Sequence, residues 1–460
     1  MAIRTGGPPA SSTTNEASDQ KSPFTGLTQS RILRLYLPLA LSWLFMAVEG
    51  PITTGILWRM PNPQVNAAAL LVMFALSLLI EGPVIDLLST ATTLAKNHQH
   101  YIVLRRFALG LIVLVTVVHA AVALTPIYWW VTKSVINVPD EVADVMRPAL
   151  MVMIPWSAFI GWRRFLHGVM IRWDNTRPIG IGTGLRVAVV LIVGFSLYFF
   201  TKLSGVVVAA TAMVAGVICE SVFIHFVARY TIRRNLDPTK GAQDGLKPLT
   251  ISALVRFHSP LTAATVVMIA GMPIIAWGLA RTPDSVAVMA SWHVAITFMF
   301  LFRTVTFALP ETVIALYKDE QSRHALAKFC VRVGAICSAL VGLTWLTGLD
   351  QYVFVQVLGA DPGIVPGARL AFILTGALPL LMGLAEQLRG VLTAHHLTLA
   401  RFVAIVVAVA GLFGVLLYGL SSAWEGIIMA AAAITVSQIA ELIVLFAFWK
   451  VRRPRFADVS

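Results

Sequence analysis

Residues 230–250 read YTIRRNLDPTKGAQDGLKPLT, the longest interval between the two ends of the chain that lacks an apolar run. Arg233, Arg234, Lys240 and Lys247 stand there among proline, glycine and aspartate, a composition that describes a solvated basic linker. What flanks it is nearly the same sequence twice. Subtracting 222 from positions in the second half sets Arg256 on Arg34, Pro260 on Pro38, Pro273 on Pro51, Arg281 on Arg59 and Lys318 on Lys96. The register continues through Gly383 on Gly161, Gly390 on Gly168 and Thr398 on Thr176, then resumes at 221 with Gly426 on Gly205 and Glu441 on Glu220. Helix-breaking prolines, flanking cations and an intramembrane acid in one register describe a tandem duplication.

The mean hydropathy of +0.81, with 58% hydrophobic and 12% charged residues, places the chain among polytopic membrane proteins, since soluble domains carry about 25% charged residues. The net charge of +13 sits in short segments between apolar runs, where membrane orientation explains it and nucleic-acid binding is not required. Cys219, Cys330 and Cys337 lie within apolar runs without paired ligand spacing, so neither disulfides nor a metal site is expected.

At about 20 apolar residues per span, the first half divides into helices near 33–58, 65–94, 101–124, 148–171, 179–201 and 205–228. The second half repeats them near 255–280, 286–316, 326–347, 369–393, 402–420 and 426–449. The expected fold is an all-α polytopic membrane protein, with twelve transmembrane helices in two six-helix lobes related by a pseudo-twofold axis along the membrane normal. The expected organisation is a disordered tail over 1–29, lobes over 30–229 and 251–450, the linker over 230–250, and a basic tail over 451–460. Loop cations alternate, with Lys96, Arg105, Arg106, Arg172, Arg177, the linker, Lys318, Arg323, Lys328, Arg401 and Lys450 all on one side. That bias predicts both termini in the cytoplasm, a plasma (inner) membrane location and contact with anionic inner-leaflet lipids. Two longer connections on the other side, 125–147 and 347–368, correspond across the repeat; the first reads equally as a short interfacial helix or as a loop anchored by Trp129 and Trp130.

Charges inside spans carry the functional signal, because each costs at least about 2.5–3.5 kcal/mol at a helix centre unless paired or hydrated. Glu81 falls on Arg303 and Arg164 on Glu386, so opposite charges at related positions are natural inter-lobe pairs, with static structural pairing as the plainer alternative. Glu220 and Glu441, like residues at like positions, read as structural. Glu-Gly-Pro occurs at 49–51 and again at 81–83, where proline removes a helical hydrogen bond beside a carboxylate. Such breaks hold substrates or coupling ions in transporters, although a packing kink explains them too. Adjacent Arg163 and Arg164 point about 100° apart on a helix, so at least one faces protein or water. Arg163, Arg164, Arg186, Arg303 and Arg389 are the candidate substrate contacts, since several guanidiniums converge well on a phosphate or carboxylate. Glu49, Glu81, Asp86 and Glu386 are the candidate gating or ion-coupling groups. Arg164 is the expected partner of Glu386, which leaves Arg163 as the freer cation. His119 and His225 read as structural, the adjacent His395 and His396 without further ligands are weak evidence of a metal, and no Walker, nucleophile-elbow or HExxH pattern suggests an enzyme or a cofactor.

The duplicated six-plus-six bundle resembles the multidrug/oligosaccharidyl-lipid/polysaccharide exporter superfamily. More narrowly, Gly82-Pro83-Val84-Ile85-Asp86 and Pro155 followed by Trp162 resemble the progressive ankylosis protein family. That resemblance implies a secondary exporter of a small anion such as ATP, citrate or pyrophosphate, and its carry-over applies to Asp86 and its Gly82-Pro83 neighbours. The alternatives are a proton- or sodium-coupled organic-cation antiporter using Glu49 and Asp86, a flippase gripping a lipid-linked pyrophosphate, and a non-transporting scaffold. A monomer is expected.

Overall fold

The computed structural model describes residues 27–236, 248–395 and 397–452. The expectations for the N-terminal tail, the centre of the linker, His396 and the end of the basic C-terminal tail lie outside these residues. Eleven helices are long and apolar enough to cross a membrane, and a twelfth span forms if the helices Asp140–Val152 and Ile154–Arg172, bent by 44°, count as one. We number the spans α1 (Gln29–Leu57), α2 (Pro63–Leu94), α3 (His98–Leu124), α4 (the bent pair), α5 (Arg177–Phe200) and α6 (Gly205–Asn235). The second lobe continues with α7 (Ile251–Leu279), α8 (Ser285–Leu316), α9 (Glu320–Leu346), α10 (Val365–Thr393), α11 (Leu399–Ser421) and α12 (Gly426–Val451).

The duplication is written in the backbone as well as in the side chains. Thr28 caps α1 by accepting from the Arg31 amide, and Thr250 caps α7 by accepting from Ala253. Asn97 and Asp319 cap α3 and α9 in the same way, each satisfying an amide that has no partner within the helix. Asn62 (φ 53°) and Asp284 (φ 51°) both adopt the left-handed conformation just before the second span of their lobes. All three pairs are 222 residues apart. So are the interruptions inside spans: α2 breaks at Asp86 and α8 over Val305–Ala308, and α4 breaks at Met153 and α10 at Thr375. Different prolines produce them (Pro83 and Pro310, Pro155 and Pro379), so the break is shared where the proline is not. α1 also breaks, at Val48 beside Glu49.

The spans differ in how far they are buried. In the most apolar window of α2 and of α6, 67% of residues are buried, against 28% in α3, α5 and α7. Close packing of α4 on α2 depends on Gly168, whose added Cβ would meet the Leu88 carbonyl and, at 2.7 Å, Ala91. The counterpart Gly390 lets α10 approach α8, where a Cβ would lie 2.6 Å from Val313. Without a hydrophobic drive between helices in lipid, such small-residue contacts hold lobes together.

The first span of each lobe crosses to the other. Ile32, Tyr36 and Ala40 of α1 pack with Ala308, Leu309, Val313 and Leu326 of the second lobe, and Gln29 Nε2 donates to the Ala325 carbonyl at 2.9 Å. α7 packs its first half against the first lobe, with Val266 filling the space beside Gly82, and its second half against Leu416 of α11. Two expectations change in detail. The linker is shorter than 230–250, because α6 continues helically to Asn235 with Arg233 and Arg234 in its last turn, where cations suit the helix dipole. The connection after α3 is a helical turn, Ile127–Trp129, running into a π-turn, Trp130–Ile136, whereas Asp140, Glu141 and Asp144 open α4.

Candidate functional site

The span charges sort into two buried networks, one per lobe, and a remainder. In the first lobe Arg163 Nη1 donates to Glu220 Oε2 at 2.5 Å, with both side chains at most 3% exposed. Arg186 pairs with Glu49 and approaches Glu220 at 3.8 Å. In the second lobe Arg389 pairs with Glu386 at 2.6 Å and also with Glu441. Glu220 and Glu441 therefore play one role, yet their arginines are not at matching positions, since position 385 is the counterpart of Arg163 and Arg389 lies one turn later. Removing one member of such a buried pair costs about 3–5 kcal/mol.

In this state the networks leave two expected inter-lobe pairs unformed and reverse the expected roles of Arg163 and Arg164. Among the described residues no ion pair joins Glu81 to Arg303 or Arg164 to Glu386, because each lobe neutralises most of its charges internally. Arg163 is not the freer cation; Glu220 holds it, and Arg164 is the one without an ion-paired carboxylate. Arg164 is half-buried with an unpartnered Nε, within electrostatic reach of Glu81 on α2 and of Glu311 across the lobe boundary on α8. Arg303 is half-buried at the end of the first segment of α8, and its Nε points at the Met382 sulfur at 3.2 Å, with no carboxylate of the described residues in ion-pair range.

Asp86, half-buried, occupies the break in α2 with one oxygen unpartnered, and Arg164 and Arg401 act on it from α4 and α11. Glu81 is 3% exposed and also keeps an unpartnered oxygen. Glu311 and Arg401 were absent from the sequence-derived set. Glu311 had a readable signal, since it follows Pro310 directly and a carboxylate beside a helix-breaking proline is the same pattern as Glu49-Gly-Pro51.

On the face opposite the linker the lobes are shut. Arg59, in the turn after α1, donates to the carbonyls of Gln356, Val357 and Leu358 at 3.0, 3.0 and 3.3 Å. Arg281, its counterpart after α7, donates to Ile136 and Val135 at 2.5 and 3.1 Å. Adding 222 to 135 and 136 gives 357 and 358, so two equivalent arginines clasp the same carbonyls of the opposite lobe's π-turn. Gln64 donates to Asp361 at 2.7 Å, and the Thr54 hydroxyl meets His293 at 3.1 Å, extending the closure inward.

With the geometry in view, comparison with known proteins narrows the assignment. Residues 246–446 match the sequence model of the progressive ankylosis protein (ANKH) family. Over those residues, most of the second lobe, the chain is similar to that family. That match contains Arg303, Glu311, Glu386, Arg389 and Glu441, and the progressive ankylosis resemblance read from Asp86 in the first lobe agrees with it. No curated protein matches the chain by sequence. Solved structures share the whole architecture. An inward-facing multidrug resistance MATE family transporter of the MOP superfamily aligns with TM-score 0.69 at 13% identity, over 93% of this chain and 99% of that one. An outward-facing form of such a transporter gives 0.62 at 14% identity, over 93% and 96%. A MOP superfamily transporter from Pyrococcus furiosus Vc1, described by a binding pocket of reverse polarity that suggests a different function, gives 0.65 at 14%, over 93% and 96%. The fold is that of these solved transporters, as the duplicated six-plus-six bundle led one to expect.

Proposed function

We propose that this protein is a secondary-active exporter of a small organic or phosphorylated anion, carried between the lobes by alternating access. The observation that carries this reading is Arg303, a half-buried arginine that ends the first segment of the broken span α8 and has no carboxylate partner among the described residues. An always-charged, planar donor is not retained unpaired at membrane depth without water or an anion to receive its hydrogen bonds. Arg164, also without an ion-paired carboxylate among the described residues, is a second candidate cation, on the opposite lobe. The organic-cation alternative loses one of its two carboxylates, since Glu49 is already neutralised by Arg186. The alternation of loop cations puts the linker in the cytoplasm, which makes the clasped face extracellular.

The test is uptake of radiolabelled citrate, pyrophosphate and ATP into inside-out vesicles, with surface expression and thermal stability measured in parallel. Arg303→Ala and Arg164→Ala should each reduce uptake at least about tenfold, whereas Arg303→Lys, which keeps the charge and loses the fork, should retain part of it. Anion uptake unchanged in both alanine variants, or uptake of organic cations only, would overturn the assignment.

A further inference from the structure

α1 and α7 each reach across to the other lobe and bond a ring to the same place, but only one of the two rings is an imidazole, with a second nitrogen able to accept a proton. The Tyr36 hydroxyl donates to the Val305 carbonyl at 3.0 Å, where α8 breaks. His258 Nε2 meets the Pro83 carbonyl at 2.9 Å, just before α2 breaks. Subtracting 222 carries His258 onto Tyr36 and Val305 onto Pro83. The flanking aromatics follow: Tyr36 meets Phe329 edge-on at 5.1 Å, and His258 meets Phe107 edge-on at 5.3 Å. The clamp itself is therefore structural and duplicated. What the two copies do not share is their chemistry. Around His258 stand Asp86 and Thr90; around Tyr36 the equivalent positions are Ala308 and Thr312.

The hydrogen bonds determine the state of the imidazole. A carbonyl only accepts, so Nε2 carries hydrogen, and Nδ1, 2.8 Å from Thr90 Oγ1, accepts the threonine hydroxyl when the ring is neutral. A proton arriving at Nδ1 reverses that bond: Nδ1–H then donates to Thr90 Oγ1, and the threonine hydrogen needs another acceptor. The structure shows the alternative in the other lobe, where Thr312 donates to the carbonyl of Ala308, the counterpart of Asp86, at 2.8 Å. Asp86 is the charged group facing His258, with none contributed by α3, α8, α11 or α12 among the described residues; Arg164 and Arg401 act on Asp86 in turn. Asp86 is half-buried and the imidazole is 4% exposed, so of the two groups the carboxylate is the more accessible to water.

We propose that His258 is the proton-coupling site of the transport cycle, with Asp86 relaying the proton and balancing its charge, and with Thr90 turning to admit it. The step moves one proton from linker-side water through the Asp86 carboxylate to Nδ1 and swings the Thr90 hydrogen to the Asp86 carbonyl; no bond between heavy atoms forms or breaks. The imidazolium tightens the hold of α7 on the break of α2, a contact of the state in which the opposite face is clasped. Acidification therefore favours that state. The inference rests on the alternating-access reading and names its coupling ion.

The experiment uses the full chain with Cys219, Cys330 and Cys337 replaced, carrying nitroxides at Ser134, exposed on the first lobe's π-turn, and at Tyr352, exposed on the helical turn that leads into the second lobe's. Distance distributions are recorded in proteoliposomes between pH 5 and 8, and pyrophosphate exchange without a pH gradient is measured alongside. The unmodified site should give a short-distance population that grows on acidification with a single-proton profile. Asp86→Asn should weaken proton binding about tenfold, moving the midpoint to lower pH. His258→Tyr, which installs the residue of the other lobe and keeps the donor to Pro83, should abolish the pH response while exchange persists; His258→Gln should do the same should the tyrosine variant misfold. Distances that do not move with pH, or a histidine-free variant that titrates like its parent, would overturn the proposal even if pyrophosphate exchange is intact. Distances that titrate through His258 without any anion exchange would leave the proton site standing and remove the anion reading instead.

Discussion

Breaking the arginine clasp on the linker-distal face should open the molecule on that side, and its geometry sets the size of the effect. Arg59 makes three hydrogen bonds to the opposite lobe and Arg281 makes two. All accept at the C-terminal carbonyls of a π-turn, where a helix end is partially negative. Charged hydrogen bonds are worth about 1.5–3 kcal/mol each when desolvated. Arg59 is exposed and regains water when the lobes part, so about 1–2 kcal/mol per arginine is the appropriate net figure. Each alanine substitution should then shift the lobe equilibrium about 5–30-fold toward the distal-open state, and the double variant by the product of the two. Arg59→Lys keeps the charge and loses the fork, so it should behave more like alanine than like arginine. The same nitroxide pair at Ser134 and Tyr352 reads the result as growth of a longer-distance population. A distribution unchanged in Arg59→Ala/Arg281→Ala would show that the clasp does not hold the lobes and would refute the argument.

The buried networks make separate predictions. Arg163→Ala should lower stability by about 3–5 kcal/mol through an orphaned Glu220, whereas replacing both by methionine should recover most of that loss in thermal unfolding in detergent. Gly390→Ala should destabilise by about 1–3 kcal/mol, since the new Cβ meets Val313 at 2.6 Å; unchanged unfolding would show that α8 and α10 have room to separate. Glu49→Gln should leave anion uptake intact or nearly so, because the carboxylate is engaged with Arg186; loss of uptake with normal folding would give Glu49 a direct role.

The duplication, the span boundaries and the all-helical membrane fold were legible before any coordinates, because lipid imposes long apolar helices and a repeat keeps its prolines, caps and glycines in register. Pro83 announced the break in α2, but only the backbone shows that α4, α8 and α10 are also interrupted and that Pro83 and Pro310, five residues out of register, produce the same interruption. Charge pairing was not legible in the same way. Subtracting one half from the other finds symmetry-related residues, and Glu81 with Arg303 looked complementary for that reason. A charge, however, pairs with whatever lies within a few ångströms, and for Arg163 and Arg389 that is Glu220 and Glu441 of the same lobe. His258 shows the limit most clearly. Its sequence counterpart is an ordinary tyrosine in an apolar helix, and its chemistry exists only because α7 crosses to the other lobe and sets an imidazole between Pro83, Thr90 and Asp86. Periodicity and composition determine which segments are helices and where they stop; the contacts between helices distant in sequence decide which charges are satisfied and which remain available to a ligand.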